Sequence, residues 1–453
     1  MIDAKDSSAF AISKITRLRW IWLGVSVLVL SFAYLWIVPL IWPRGDLLWG
    51  YYRLKDLLLG IPVGLAVLCI LAILASPSRY KRHLAAKLTT ILVSSLAMLF
   101  ICDFAYAFLI RDGLRPNFWL DQGHIPRKYS MPDSELGFAR KPEISWRRHV
   151  PELNRFVDYR TDENGFRNPP RIPQADIVFI GDSYTEAAQV TEEETFARRV
   201  AAALGVTSVN LGRGAYGPQQ EFIVLERYGL KYRPRLVVWQ LFEGNDLGDA
   251  NIFAEWKKDP EQSLSLKERY FNYSLLTEWL KKTRLSEAPL VTVRHNNGAT
   301  QRMRLRYRYE PRQPDEIPLG FAETRRVVEE GQQLCLSQNA RLIILFVPTM
   351  VRVLEPYITF DRIEDRNTYL PVDAVQAKRD FRARLAELCS EIGCTFVDAF
   401  EMLRVAAALN NQNLYIPNDE HLDVGGHEVI ARILIDRFAS EERARASTGS
   451  ATQ

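Results

Sequence analysis

The stretch Ala175-Asp-Ile-Val-Phe-Ile180, followed by Gly181-Asp182-Ser183-Tyr184-Thr185, decides how the rest of the chain is read. A short apolar, largely β-branched run ends in a glycine. A serine stands two residues further on, and Glu192–Leu204 has helical character. The pattern predicts a buried parallel strand, a tight turn and a helix. A serine there lies at the carboxyl edge of a sheet and at a helix N-terminus, where its N–H and its hydroxyl can both face a ligand. Alone the tripeptide is weak, because Asp182 and Ser183 are also good helix caps.

From Ile172 onward strands and helices alternate. Strands are predicted at Ala175–Ile180, Thr207–Leu211, Leu236–Phe242, Arg341–Pro348 and Thr395–Asp398. Helices are predicted at Glu192–Leu204, Gln219–Tyr228, Phe321–Gln338, Ala374–Ile392 and Gly426–Phe438. Strands alternating with helices of 10–18 residues give an α/β domain, residues 172–440, with a doubly wound parallel sheet. Its ligand crevice is expected at the carboxyl ends of the strands. An insertion at about 247–318 interrupts the alternation. It holds an amphipathic stretch, Tyr273–Lys282, and a basic–aliphatic one, Arg302–Tyr309, which reads as a strand with one charged face suited to a solvated edge. Residues 112–171 form a proline-rich connector. Phe118, Trp119, Tyr129, Phe138, Trp146, Phe156 and Tyr159 make it too aromatic for a disordered spacer, so it is expected to pack on the domain that follows. The tail 441–453 is small and polar, and predicted disordered.

Ahead of the connector lie three long apolar runs, 20–41, 57–75 and 88–110, of which only the third holds a charge, Asp103. Each is about 20 residues, the length of a helix that spans a bilayer. Tryptophans 20, 22, 36, 42 and 49 fall near the run ends, as in an interfacial belt. The first run is too long for a cleaved leader and two more follow. Lys5, Lys14, Arg17 and Arg19 before the first run, and Arg79, Lys81, Arg82 and Lys87 in the second loop, favour a cytoplasmic N-terminus. The expectation is therefore a bundle of three transmembrane helices over 1–111. That makes a multi-pass protein of the bacterial inner membrane with its catalytic domain in the periplasm.

A net charge of +4 without a concentrated basic patch argues against nucleic acid as a partner. Of five cysteines, Cys69 and Cys102 lie in apolar runs. Cys335, Cys389 and Cys394 allow at most one disulfide, have no metal-ligand spacing with histidine, and read as small buried hydrophobes.

Polar residues follow the strands at four places. They are Gly181-Asp182-Ser183, then Asn210-Leu-Gly-Arg-Gly-Ala-Tyr-Gly217, then Gly244-Asn245-Asp246, and finally Asn418-Asp-Glu-His421-Leu-Asp-Val-Gly-Gly426 before the last helix. The chemistry they suit is acyl transfer. A serine hydroxyl needs a base, histidine titrates near neutrality, and a carboxylate fixes its tautomer. Ser183 reads as nucleophile, His421 as base and Asp419 as its orienting partner, since residues two apart on an extended segment point the same way. The oxyanion donors would be the Ser183 N–H, an N–H of Gly214–Ala215, and the Asn245 side-chain amide. Each piece has a plainer reading: Asn245-Asp246 as a turn, His421 as a loop anchor. His83, His124, His149, His295 and His427 have no comparable setting.

Those four stretches, in that order, resemble the SGNH/GDSL hydrolases, a family of serine esterases and acetylesterases. The resemblance covers about 172–440 and implies a flavodoxin-like fold. Tyr129–Gly137 and Asn164–Arg167 also resemble the approach segment of bacterial members encoded with envelope polysaccharides. Two departures stand out. Ala215 occupies the usual second-block glycine position, and Asn418 stands where the family often has its aspartate, with Asp419 one residue closer to the histidine. With the apolar runs supplying the membrane anchor, the resemblance implies a serine hydrolase that deacylates an envelope glycan, the glycan being carried over from similar members, or a small acyl ester. It implies no metal and no cofactor. Alternative readings are an O-acetyltransferase with the same triad, working with a membrane acyltransferase or polysaccharide export machinery, and a catalytically silent glycan-binding scaffold.

Overall fold

The computed structural model describes residues 128–260, 289–296, 298–305, 317–369, 380–409 and 413–449, with short pieces at 47–48, 52–53, 94, 98, 101–103, 105 and 118–119. The chain divides into two compact units. One comprises 1–116, 121–123 and 263–287; the other 117–120, 124–262 and 288–453. In the first, Leu47–Leu48 pairs antiparallel with Tyr52–Arg53.

The second unit is built on five parallel strands: β1 Ile177–Ile180, β2 Ser208–Asn210, β3 Leu236–Phe242, β4 Arg341–Val347 and β5 Thr395–Asp398. Their spatial order is β2-β1-β3-β4-β5. In this doubly wound order the winding reverses between β1 and β3, which opens a crevice past their carboxyl ends. Alternation along the strands feeds two cores. Phe179, Val238, Ile343 and Leu345 face helices Phe196–Leu204, Met350–Leu354, Phe400–Leu409 and the first turns of Val424–Gly449. Val178, Trp239, Ile344 and Phe346 face helices Pro218–Arg227, Asp246–Lys258, Pro318–Ser337 and Phe381–Ile392. Both sheet faces are covered, so the strands read as continuous apolar runs.

The helix after β1 does not begin at Glu192. Ser183–Glu186 makes one turn of its own, and the longer helix starts at Phe196 because the Thr195 hydroxyl caps it, accepting from Arg198 N at 3.3 Å. Asp246–Lys258, part of the expected insertion, is a helix lying on Pro318–Ser337. They approach so closely that a Cβ on Gly320 would stand 2.0 Å from the Leu247 carbonyl oxygen. Further along, Leu290–Arg294 pairs with Thr300–Arg304 on one side and Ile358–Phe360 on the other. Met303 and Leu305 point into the core, while Arg302 and Arg304 point away from it on the edge strand. The 273–282 stretch and residues 306–309 lie outside the described residues.

The connector forms two antiparallel hairpins, Ser130–Asp133 with Gly137–Arg140 and Ser145–Val150 with Arg155–Arg160. Leu136, Phe138 and Phe166 join the second core, and the Tyr216 hydroxyl donates to the Phe138 carbonyl at 2.7 Å.

One expectation is corrected. Among the described residues no helix is long and apolar enough to cross a membrane. The two longest, Pro318–Ser337 and Val424–Gly449, carry charged residues along their length. The runs 20–41 and 57–75 lie outside the described residues, as does all of 88–110 except 94, 98, 101–103 and 105. The three-helix transmembrane bundle therefore has no support, and neither does a multi-pass inner-membrane location with a periplasmic catalytic domain.

Candidate active site

Ser183 follows β1 directly. Gly181 has φ +151°, and a Cβ on it would lie 2.5 Å from both Gln240 Oε1 and Thr185 Oγ1, so the turn requires glycine. Asp182 caps the short helix by accepting the Tyr184 N–H at 2.9 Å. This is the plainer role foreseen for it, and it leaves Ser183 as the first helical residue.

His421 is brought to the serine by a tight loop. Ile416 N–H donates to the His421 carbonyl and Asp423 N–H to the Leu414 carbonyl, at 3.0 and 2.9 Å, closing residues 414–423 on themselves. The Tyr184 hydroxyl donates to the Glu420 carbonyl at 2.9 Å, which ties this loop to the residue after the serine. Ser183 Oγ then lies 2.9 Å from His421 Nε2, and His421 Nδ1 lies 2.5 Å from Asp419 Oδ1. Asp419 reaches the imidazole through a turn rather than along an extended segment: its Oδ1 also accepts the His421 backbone N–H at 3.2 Å. Asn418 is elsewhere. It sits in the left-handed region at φ 61°, and its Oδ1 accepts the Arg304 N–H at 2.9 Å, pinning the edge strand of the insertion to the histidine loop. Asp419, one residue on, is the carboxylate beside His421.

The three expected oxyanion donors have different surroundings. The Ser183 N–H makes no hydrogen bond among the described residues. Gly214 lies against the serine, since a Cβ built there would be 3.4 Å from Ser183 Cβ, but its N–H donates to Glu186 Oε2 at 2.6 Å. Ala215 has φ 66°, and its N–H has no acceptor among the described residues. Asn245 caps the Asp246–Lys258 helix at the end of β3 and donates through its amide to Asp249 Oδ2 at 2.6 Å, so one of its two amide hydrogens is engaged.

Glu186 was not foreseen. It is 3% exposed, yet it accepts from Arg140, from the Tyr159 hydroxyl, from Arg213 at 3.3 Å and from Gly214 N. Burial would raise its carboxyl, but the two guanidiniums, the hydroxyl and the N–H together hold it well below the usual carboxylate range. Asp182, fully buried, goes the other way: burial pushes it up, only partly opposed by the Tyr184 N–H and the nearby His421. His427, 2% exposed, accepts the Phe196 N–H at Nδ1, 3.4 Å away. Burial first, then the arginines around it, lower it to about 3. It is a structural residue of the helix after the loop. The only sequence signal for Glu186 was a carboxylate in the otherwise uncharged run Tyr184–Ala188.

A histidine bridging a hydroxyl and a carboxylate can take the hydroxyl's proton and return it to a leaving group. No protein-family model matches the sequence, and no curated protein matches it. Solved structures do. The structural neighbours are GDSL-type hydrolases and acetylxylan esterases. The chain is similar to a member of the lipolytic protein G-D-S-L family from Veillonella parvula, at 12% identity and a TM-score of 0.32, over 57–60% of its own length in the neighbours generally and 58% of this chain and 97% of that one here. It is similar to a GDSL-like lipase from Bacteroides thetaiotaomicron at 13% identity, TM-score 0.30, over 58% of this chain and 88% of that one. It is also similar to a catalytic mutant of an acetylxylan esterase from Geobacillus stearothermophilus at 13% identity, TM-score 0.31, over 58% and 94%. At such identities these proteins do not speak to this chain's substrate.

Proposed function

We propose that the chain is an ester hydrolase of the SGNH/GDSL type. The observation that carries the reading is the continuous hydrogen-bonded series Asp419–His421–Ser183, at 2.5 and 2.9 Å. Ser183 Oγ attacks the acyl carbonyl carbon while His421 Nε2 takes its proton. Asp419 keeps Nδ1–H in place and stabilises the imidazolium. The carbonyl π pair moves onto oxygen, which meets the N–H groups of Ser183 and Ala215 and the side-chain amide of Asn245. His421 protonates the departing alkoxide as the C–O bond breaks. Water, deprotonated by the same histidine, then releases the acid and restores Ser183. Each preorganised oxyanion donor is worth about 3 kcal/mol of barrier.

The alcohol half of the ester is a carbohydrate hydroxyl and the acyl group is acetyl. Support comes from Tyr129–Gly137 and Asn164–Arg167, which resemble the approach segments of members encoded with envelope polysaccharides. The test is acetate release by the full chain from acetylated oligosaccharides and from p-nitrophenyl acetate, beside Ser183→Ala. Release from both, absent in the variant, is the expected result. Release from p-nitrophenyl acetate alone would remove the carbohydrate, and release from neither would remove the hydrolase.

A further inference from the structure

We infer that Glu186 is a positioning residue for oxyanion stabilisation, and that the connector hairpins exist in part to keep it ionised. The inference deepens the ester-hydrolase reading and rests on it. Glu186 shares one helical turn with Ser183, only three residues on. Its Oε2 takes the Gly214 N–H at 2.6 Å. That bond fixes the plane of the peptide before Gly214, and so the approach of the next residue, Ala215, whose N–H is unclaimed. Ala215 is held in the left-handed region, which a residue with a Cβ enters only when its surroundings impose it. Gly214 leaves this oxygen in place: a Cβ there would meet Glu186 Oε2 at 2.9 Å and push the carboxylate aside. One carboxylate thus spans the nucleophile turn and the oxyanion loop.

A buried carboxylate does this only if its charge is compensated. The compensation comes from two directions. Arg213, on the oxyanion loop itself, supplies one guanidinium. Arg140 and Tyr159, one from each connector hairpin, supply a second guanidinium and a hydroxyl. Both are locked by stacking, with Arg140 over the Trp146 and Tyr159 rings, and Trp146 stacked on Tyr159 at 4.1 Å. Arg167 clamps the far end of the turn through the carbonyls of Ala187 and Val190. The aromatic residues of the connector are therefore the wall of a charge-compensating cage behind the serine.

The test compares the full-length wild type with Glu186→Gln and Tyr159→Phe. It measures kcat and KM for p-nitrophenyl acetate, melting temperature, and inhibition by phenylboronic acid. In that adduct Ser183 Oγ bonds to boron, its proton passes to His421, and a boron-bound oxygen occupies the oxyanion position. Glutamine keeps an acceptor for Gly214 but loses the charge that holds both guanidiniums. Expected for Glu186→Gln is a kcat about a hundredfold lower, KM within about twofold, and a boronate inhibition constant raised by the same factor as kcat falls. Tyr159→Phe, which keeps the stacked ring and removes one donor, is expected to move the same two quantities about fivefold, and it carries the test if Glu186→Gln does not fold. An active wild type with both folded variants within threefold in kcat and boronate affinity, differing only in melting temperature, would overturn this inference and leave the ester-hydrolase reading intact. A folded wild type that hydrolyses no acyl ester would overturn both.

Discussion

Asp182 and Glu186 bracket the turn that carries Ser183, both are buried, and they keep different company. Glu186 meets two guanidiniums, a tyrosine hydroxyl and an N–H, and stays ionised. Asp182 accepts one backbone N–H, and its second oxygen, outside normal hydrogen-bond geometry, has only the neutral side-chain amides of Gln240 and Asn245 beside it. Behind it stand Glu221 and Asp246, also fully buried, also with one unpartnered oxygen each. Burial first, and then the neighbouring carboxyls, raises both well above the usual range. Burial acts alike on the two sides of the serine. The number of donors supplied decides which side carries charge. The Asp182 side serves shape, capping a helix and closing the turn. The Glu186 side serves electrostatics.

A third carboxylate gives the largest expected effect. Asp419 accepts from His421 Nδ1, so Asp419→Asn is expected to lower kcat about 10⁴-fold by disturbing the histidine tautomer. Asn418→Ala, which only frees the edge-strand N–H of Arg304, should stay within about threefold. Steady-state kinetics on an acyl ester separates the two, and a deep loss in Asn418→Ala would mean that Asn418, not Asp419, orients the histidine.

Stability should divide the bracketing pair. Removing the charge from Glu186 leaves Arg140 and Arg213 crowded and uncompensated, so Glu186→Gln is expected to cost about 3 kcal/mol at pH 7. Asp182→Asn keeps the capping oxygen and replaces a group that folding already holds towards its neutral form, so a change under about 1 kcal/mol is expected. Denaturant unfolding measures both, and equal losses would break the comparison.

The pH dependence follows with opposite signs. Glu186 lies below its unfolded value, so its contribution is present above about pH 4.5 and lost as pH falls through that range. His427, at about 3 in the fold, stays neutral while the unfolded chain takes up a proton below about 6.5. Stability therefore falls from pH 6.5 downward, by at most about 1.4 kcal/mol per pH unit from this group. Asp182, Glu221 and Asp246 are raised, so their contribution is full below about pH 4 and is lost as pH rises. Melting curves between pH 5 and 7 should drop less on acidification in His427→Gln than in wild type, and an unchanged slope would remove His427 from the account. The smallest effect is at Ala215. Ala215→Gly relieves the left-handed backbone but loosens the unfolded chain, so net stability should move by less than about 1 kcal/mol with kcat nearly unchanged.

Much of this was legible in the chain. Leu236–Phe242 and Thr395–Asp398 have the same ends in sequence and structure, because continuous apolar runs bounded by Pro234 and Gly393–Cys394 on one side and polar site residues on the other admit little else. Ser183, His421 and Asp419 could be singled out because the carboxyl ends of parallel strands collect functional groups. Glu186 could not, since its role depends on Arg140 and Tyr159, 46 and 27 residues away, and on a fold that brings two hairpins behind one turn. The aromatic content of the connector pointed to packing and gave no sign of the charge it delivers. The N-terminal runs show the opposite failure: apolar length suggested three spans, and no described helix answers to them.

The most direct test is covalent. A fluorophosphonate ester transfers its phosphonyl group only to a serine whose proton is being withdrawn, with fluoride leaving. Incubated with the full chain and mapped by peptide mass spectrometry, it should modify Ser183, and the rate should collapse in His421→Asn. Modification of Ser183 at the same rate in both proteins, or none in the folded wild type, would contradict the account.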